Sequence, residues 1–444
     1  MEEELQVEQI EQPQKPKNVF HNKNFSLVFL GILVSNVAAL FYSFAVSFYI
    51  LKITENNALI QGLYLAVGGL TFCIVTLFGG VIADRFNKAK IMYICDYIKG
   101  GVIIGFTFLL MFVIKSTEWK IASLFIVTVI LNAVAGIFTP ASSALLPQIV
   151  EEDQFQQAQS YFSILNSFQS IVGVVLAGLL YSFVPINVLF FIVGGCYIIS
   201  AISEMFIKYE SKFEKRNEKL SLKAVFSDIK DGFKYLASIK ALLVLMICIL
   251  FINFFFTPIF DNFPSYFIAT DVTGSNYLFH ETVKPEMWSS FFSVALGLGS
   301  LVMGIVLSNM KQADKCNRIV RWSMIVVSTL TLSIALLYGL FVLNIININT
   351  LLILILVVLF LIGGTVIMIN IPSSAAMMKI VNKDKFGKVS SVINIGSQGL
   401  MPLSMFLGGI AITYVGSLGL LIVCGAGLLI TSLVLFFTPS VRNI

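Results

Sequence analysis

The 444-residue chain is 57% hydrophobic and only 12% charged, with a mean hydropathy of +0.91 and a formal net charge of +5. A soluble domain carries about one quarter charged residues, so this composition excludes one, and no nucleic-acid partner is expected. Apolar runs of about 20 residues recur along the chain, each long enough to cross about 30 Å of hydrocarbon. The expected class is an all-α membrane protein embedded in a lipid bilayer.

In chain order, residues 1–24 read as a polar tail. The first 19 are rich in Glu and Gln and hold Pro13 and Pro16, without the apolar core of a cleavable signal. Twelve apolar segments follow, at 25–50, 58–83, 91–114, 120–144, 159–182, 186–207, 241–268, 288–309, 320–343, 350–378, 389–413 and 418–438. They divide the chain into a bundle over 25–207, a linker over 208–240, a second bundle over 241–438 and a short tail over 439–444. Lys and Arg crowd alternate connections: Arg85, Lys88 and Lys90; the linker; Lys311 to Arg321; and Lys379 to Lys388. The remaining connections offer only Lys52, Lys115, Lys120 and Lys284. Positive charge is retained in the cytoplasm, so both termini are expected there.

The most specific local signal joins the second and third segments: Gly79-Gly80-Val-Ile-Ala-Asp84-Arg85-Phe-Asn-Lys88-Ala-Lys90. Its glycines allow close helix approach, and its charges end the helix at the water. Within the linker, Leu222, Val225, Phe226, Ile229, Phe233 and Leu236 fall on one helical face, as expected of a helix lying along the membrane surface. A plain connector between two bundles fits that segment equally well.

The chain also repeats itself. At an offset of 231 residues, Ile149, Val150, Asp153, Phe155 and Ser160 meet Ile380, Val381, Asp384, Phe386 and Ser391, five identities in a twelve-residue window. Gly178 meets Gly409, and Pro140 meets Pro372 with a one-residue slip. The match falls between the fourth and fifth segments of each half, so the repeat and the segment count agree on two six-helix halves. Around Gly304 to Lys311 the charged motif has a degenerate second copy, with Ser308 and Asn309 where Asp84 and Arg85 would stand. A pair kept in one copy alone leans toward a gating role.

With these residues in this order, the chain resembles the major facilitator superfamily, and within it the 12-span drug-efflux branch of macrolide exporters and the enterobactin exporter. The resemblance is carried by the Gly79–Lys90 motif, by Ile91 to Lys99 after it, by Pro140 to Pro147 before an acidic turn, and by Asp228 to Leu236. It implies twelve transmembrane helices in two pseudo-symmetric six-helix bundles, with substrate held between them near the midplane. It further implies a bacterial cytoplasmic-membrane antiporter that exports a drug, macrolide or siderophore-like molecule, works as a monomer and is driven by protons. Departures bear on the coupling. Asn132 replaces an Arg of the fourth span, Val174 replaces a Pro after Gly173, Lys99 replaces an Arg of the third span, and no carboxylate lies in the first.

The same resemblance assigns a gate to Gly80, Asp84, Arg85 and Lys88. Asp84 would cap the start of the eleventh span near Ser390 and Ser391, where a carboxylate meets free N–H groups and the positive end of the helix dipole. Arg85 would pair with Glu151, Glu152 or Asp153. Asp96 and Lys99, three residues apart on one helical face, form an ion pair, a proton site or a network with Arg85. Glu204 and Asp261 lie near span ends and are expected to reach solvent. Asn36, Asn132, Asn166, Gln169, Asn253, Asn370, Asn394 and Gln398 are candidates for the substrate cavity, or for hydrogen bonds between helices. Such amides suit a weakly charged amphiphile.

No metal-ligand spacing, cofactor motif or Gly-Lys-Ser/Thr phosphate loop occurs, and no catalytic constellation marks an enzyme. Two other readings stay open. One is a transporter of a lipid-like or other metabolite without tight proton coupling, and the other is a non-transporting membrane sensor.

Overall fold

A computed structural model of the chain describes residues 19–151, 154–208, 233–234, 238–273, 277–309, 316–380 and 398–438. Its helices are α1 (Lys23–Ile53), α2 (Ala58–Arg85), α3 (Lys88–Phe112), α4 (Thr117–Ile149), α5 (Phe155–Phe168), α6 (Val174–Phe183) and α7 (Ile186–Met205). They continue as α8 (Lys240–Thr257), α9 (Phe263–Thr270), α10 (Met287–Asn309), α11 (Cys316–Val342), α12 (Ile348–Ile380) and α13 (Met401–Phe437). Among the described residues there is no strand. In hydrocarbon, backbone groups must be satisfied within the segment, and a helix does this alone.

Among the described residues, eleven helical segments are long and apolar enough to cross a membrane. Two of them are each broken by one π-helical turn, at Gln169–Gly173 between α5 and α6 and at Pro258–Asn262 between α8 and α9. A turn of this kind bends a helix, without proline in the first case and with Pro258 at its start in the second. In the fifth segment it falls where the related branch carries Gly-Pro and this chain has Gly173 and Val174. The 37 residues of α13 would run about 55 Å if straight, far beyond a bilayer core. They are divided at Gly416, whose φ of 71° is open to glycine at little steric cost.

Asparagines start the first three helices. The side chains of Asn22, Asn57 and Asn87 accept from the free N–H groups of α1, α2 and α3. One end of the bundle, here termed proximal, is tied together by the residues before α1. Val19 N–H donates to Gln157 Oε1 (3.1 Å), Asn22 Nδ2 to the Ile149 carbonyl (2.6 Å) and Asn24 Nδ2 to the Lys208 carbonyl (2.6 Å). Apart from Phe233 and Lys234, which are helical and exposed, the expected amphipathic helix of the linker lies outside the described residues, as does the start of the eleventh span, 389–397.

Glycine crossings set the helix pairs. Between α2 and α4, a Cβ at Gly79 would strike the Gly136 carbonyl, and one at Gly68 would lie 3.1 Å from Asn132 Nδ2. The residues 231 beyond Gly68 and Asn132 are Gly299 and Gly363, the close approach between α10 and α12: a Cβ there would meet the Phe360 and Leu296 carbonyls. Equivalent positions of the repeat thus do equivalent packing work. Overpacking such a contact costs about 1–3 kcal/mol. Gly363→Ala should therefore lower the thermal unfolding midpoint of the detergent-purified protein, whereas Gly304→Ala, facing open space, should not.

Candidate functional site

The helices before and after residue 208 meet along a seam at the end opposite the N-terminus, the distal end. There α2 crosses α13, and α6 packs on α10. A Cβ at Gly62 would lie 2.8 Å from the Gly409 Cα, and one at Gly409 would lie 2.5 Å from the Ala58 carbonyl. A Cβ at Gly178 would stand 3.2 Å from Ser290 Cβ. Gly178 and Gly409, matched by the repeat, therefore sit at two different crossings of one seam.

Polar contacts reinforce those crossings. Gln61, fully buried, donates through Nε2 to Ser265 Oγ at 2.6 Å, joining α2 to α9. On the later side of the seam, Asn262 of the second π-helical turn donates to the Met405 carbonyl of α13 at 3.0 Å and holds that turn to α13. Ser290 Oγ donates to the Val174 carbonyl (2.8 Å), and Lys284 to the Ser182 carbonyl. The Gln61–Ser265 bond is buried and so rigidifies its crossing most, because breaking it leaves an orphaned polar group, whereas Lys284 is exposed. Behind the seam lies a cavity of about 680 Å³, lined in part by Tyr49, Lys52, Glu55, Tyr181, Lys284 and Glu286. None of these seam residues except Gly178 and Gly409 stood out in the sequence. A buried amide is legible only once its surroundings are known.

A second polar group lies inside the helices before residue 208, where α3 meets α1, α4 and α7. Asp96 is fully buried and Lys99 is 5% exposed; Lys99 Nζ pairs with Asp96 Oδ1 at 3.0 Å. Ser35 Oγ of α1 donates to the same oxygen at 3.2 Å. The ammonium lies over the rings of Phe138 (4.2 Å) and Tyr197 (5.1 Å), which present their negative faces to it. A lysine forms this as a point contact, where the branch's usual arginine would offer a fork. Asp96 and Lys99 thus lie within ion-pair distance of each other.

Glu204 departs from expectation. It sits in the last turn of α7 with no exposed surface, and neither carboxylate oxygen has a hydrogen-bond partner. The cause is Gly31 of α1, whose missing side chain leaves room for the acid: a Cβ there would be 2.7 Å from Glu204 Cγ. One turn earlier, Ser200 Oγ donates to the Gly31 carbonyl at 2.8 Å and holds the two helices at that spacing. Asp261 follows the expectation and is exposed, on the second π-helical turn.

The charged motif is partly visible. Asp84 and Arg85 form the last turn of α2, and Arg85 is exposed. The Asp84 side chain lies outside the described residues, as do Glu152, Asp153, Ser390 and Ser391. Glu151 is exposed. Lys88 differs from a loop charge, being 1% exposed in the first turn of α3. A Cβ at Gly80 would meet open space, so the close helix contact belongs to its neighbour Gly79.

The amides divide. Asn132 is half-buried and donates to the Thr128 carbonyl of its own helix (2.9 Å). Gln169, on the first π-helical turn, is half-buried with its Nε2 unpartnered, while Asn36 and Asn253 are half-buried too. Asn166, Asn370 and Gln398 are exposed, and Asn394 lies outside the described residues.

Comparison with known proteins gives this geometry a context. The Major Facilitator Superfamily family model matches residues 27–402. An uncharacterized MFS-type transporter of Bacillus subtilis, YkuC, is 24% identical over 65% of this chain, and the match spans 65% of that relative's length. Macrolide efflux protein A of Streptococcus pyogenes is 24% identical over 63% of this chain and 66% of its own. A putative bacilysin exporter of Bacillus subtilis is 23% identical over 42% of this chain and 45% of its own. Among solved structures, a mutant of the nucleoside transporter NupG superposes with a TM-score of 0.69 at 14% identity, covering 94% of this chain and all of that one. A bacterial homologue of the iron transporter ferroportin, in its inward-facing state, gives 0.66 at 14% identity over 92% and 98%.

The seam makes a direct prediction. Ser265 is buried, so a Ser265→Cys thiol should resist a water-soluble maleimide. Adding Gly62→Leu forces α2 off α13 at a cost of about 1–3 kcal/mol, enough to raise the labelling rate about tenfold. An unchanged rate would mean that the crossing does not hold the distal end shut.

Proposed function

Because the chain belongs to the major facilitator superfamily, we propose that it is a secondary transporter working by alternating access, exporting a hydrophobic or amphiphilic small molecule from a bacterial cell. In this reading each side of Gly416 is a separate span, giving twelve. Residues 25–207 and 241–438 form two bundles joined by the 208–240 linker, and both termini lie in the cytoplasm. The distal seam is then the closed outer gate, and the molecule is caught open to the inside.

The observation that supports this reading is the seam itself, built from glycine crossings, a few interhelical hydrogen bonds and an apolar patch where Phe48 and Ala58 join the core of the later helices. Small-residue contacts can separate and re-form as rigid surfaces, which alternating access requires. At the opposite end, Asp84 and Arg85 serve as the inner latch, formed when the outer gate opens. Each state is favoured by its own contacts, so substrate and ion act by shifting a two-state balance.

Cargo chemistry follows from the candidate cavity residues. Asn36, Gln169, Asn253, Asn370 and Gln398 offer amides rather than cations, so they orient a weakly charged amphiphile and do not neutralise a phosphate or dicarboxylate. The names of the macrolide and bacilysin relatives point the same way. Proton drive is the assigned energy source, with Asp96 and its surroundings as the ionisable region.

One experiment tests the cycle and the direction together. Gly178→Cys with Ser290→Cys places two thiols side by side across the seam, their Cβ atoms starting 3.2 Å apart and needing a shift of a few tenths of an ångström to reach disulfide spacing. Cells carrying this pair should export amphiphilic test compounds when reduced and lose export on oxidation, with reductant restoring it. Asp84→Asn should lower export in the same assay, and a protonophore should abolish it. If the wild-type protein alters accumulation of no compound in a broad panel, export is the wrong function.

A further inference from the structure

The cluster around Asp96 holds more acid than base. Asp96 and Glu204 are both fully buried, and Lys99 is the cation whose charge reaches both carboxylates. Among the described residues, the other groups facing Glu204 do not supply a compensating positive charge. From α3, beside Lys99 itself, these are the Cys95 thiol and Asp96. On α1 the facing residues are Gly31 and Ser35, and Ser35 already donates to Asp96. From α4, Phe138 covers the ammonium, and on α7 itself the phenol of Tyr197 stands one ring away from Lys99.

With both acids ionised, the site would carry one uncompensated negative charge away from water, and Glu204 would have no donor at either oxygen. Such a charge is expelled or neutralised in a dry interior. Two acids beside one base are neutral when one acid keeps its proton, which is how close carboxylates behave. Asp96 already accepts from Lys99 and Ser35, whereas Glu204 accepts from nothing.

We infer that Glu204, Asp96 and Lys99 form a single-proton site in which Glu204 carries the proton and the Asp96–Lys99 pair stays ionised. The ligand is H⁺ taken from water, and no other bond is made or broken. Glu204 lies in the last turn of α7, and the described residue packed closest over it is Gly31 of α1. The α1–α7 contact is therefore the barrier to exchange. A small parting of these helices admits water and lets the proton leave, after which Lys99 must serve two carboxylates. The inference deepens the proposed transport function by naming where a coupling proton resides, yet its test needs no substrate and no transport.

Infrared difference spectroscopy on the purified protein in nanodiscs reads the carbonyl band of a protonated carboxyl group, which shifts in D₂O. At neutral pH the wild type should show one such band from this site. Glu204→Gln should remove it. Asp96→Asn should remove it too, because Glu204 then ionises beside Lys99. Lys99→Met should double it, because both acids must then hold protons. A band that survives Glu204→Gln unchanged overturns the assignment to Glu204. A band that survives Asp96→Asn overturns the charge balance behind it. Should Glu204→Gln fail to fold, the opposite effects of Asp96→Asn and Lys99→Met decide the matter alone. Export could fail in cells while these bands behave as stated, and the reverse also holds, so the two readings stand or fall separately.

Discussion

Helix backbones in this protein approach one another at glycines, and the rest of the structure depends on those approaches. In a lipid environment the hydrophobic effect does not press helices together, since lipid tails are as apolar as leucine. Close van der Waals contact and a few interhelical hydrogen bonds must do so instead. Gly79 against Gly136, Gly299 against Phe360 and Gly363 against Leu296 set the spacing within each group of helices. Gly62 against Gly409 and Gly178 against Ser290 set it between the groups. The first three are contacts inside a unit, and the last two lie where units meet. One chemical device thus serves permanent packing and a separable seam.

The same economy governs charge. Lys99 over two aromatic rings, Asp96 with two donors and Glu204 with none show how a membrane interior handles ionisable groups: by pairing, by aromatic faces or by neutralisation. Gly31 admits Glu204 to this cluster and also forms part of the α1–α7 contact that covers it. Any rearrangement of α1 against α7 would change both packing and charge. That gives an ionisable site a mechanical consequence without a long chain of intermediates.

Membrane class, the near-complete list of apolar segments and the repeat were legible from residues alone. Hydrocarbon thickness imposes segment length, and a period of 231 residues carries over to Gly68 and Gly299, which do matching work. Asp96 and Lys99 were legible as a pair because a three-residue spacing places them on one helical face. Glu204 was misread. Proximity to the end of a span suggests an acid reaching water, but the absence of a side chain at a residue 173 positions earlier in the chain, Gly31, decides otherwise. Lys88 likewise looks like a loop charge in a linear reading and is buried in the first turn of α3.

What the sequence determined, then, is whatever depends on local composition and spacing: apolar length, charge bias and the repeat. These follow from solvent and backbone chemistry, which act residue by residue. Only the tertiary structure decided which glycines close a seam, that the Gln61 amide bridges it and which acid lacks a partner. Those are properties of pairs far apart in the chain. Gln61 and Ser265 stand 204 residues apart and are ordinary polar residues until helix packing puts 2.6 Å between them.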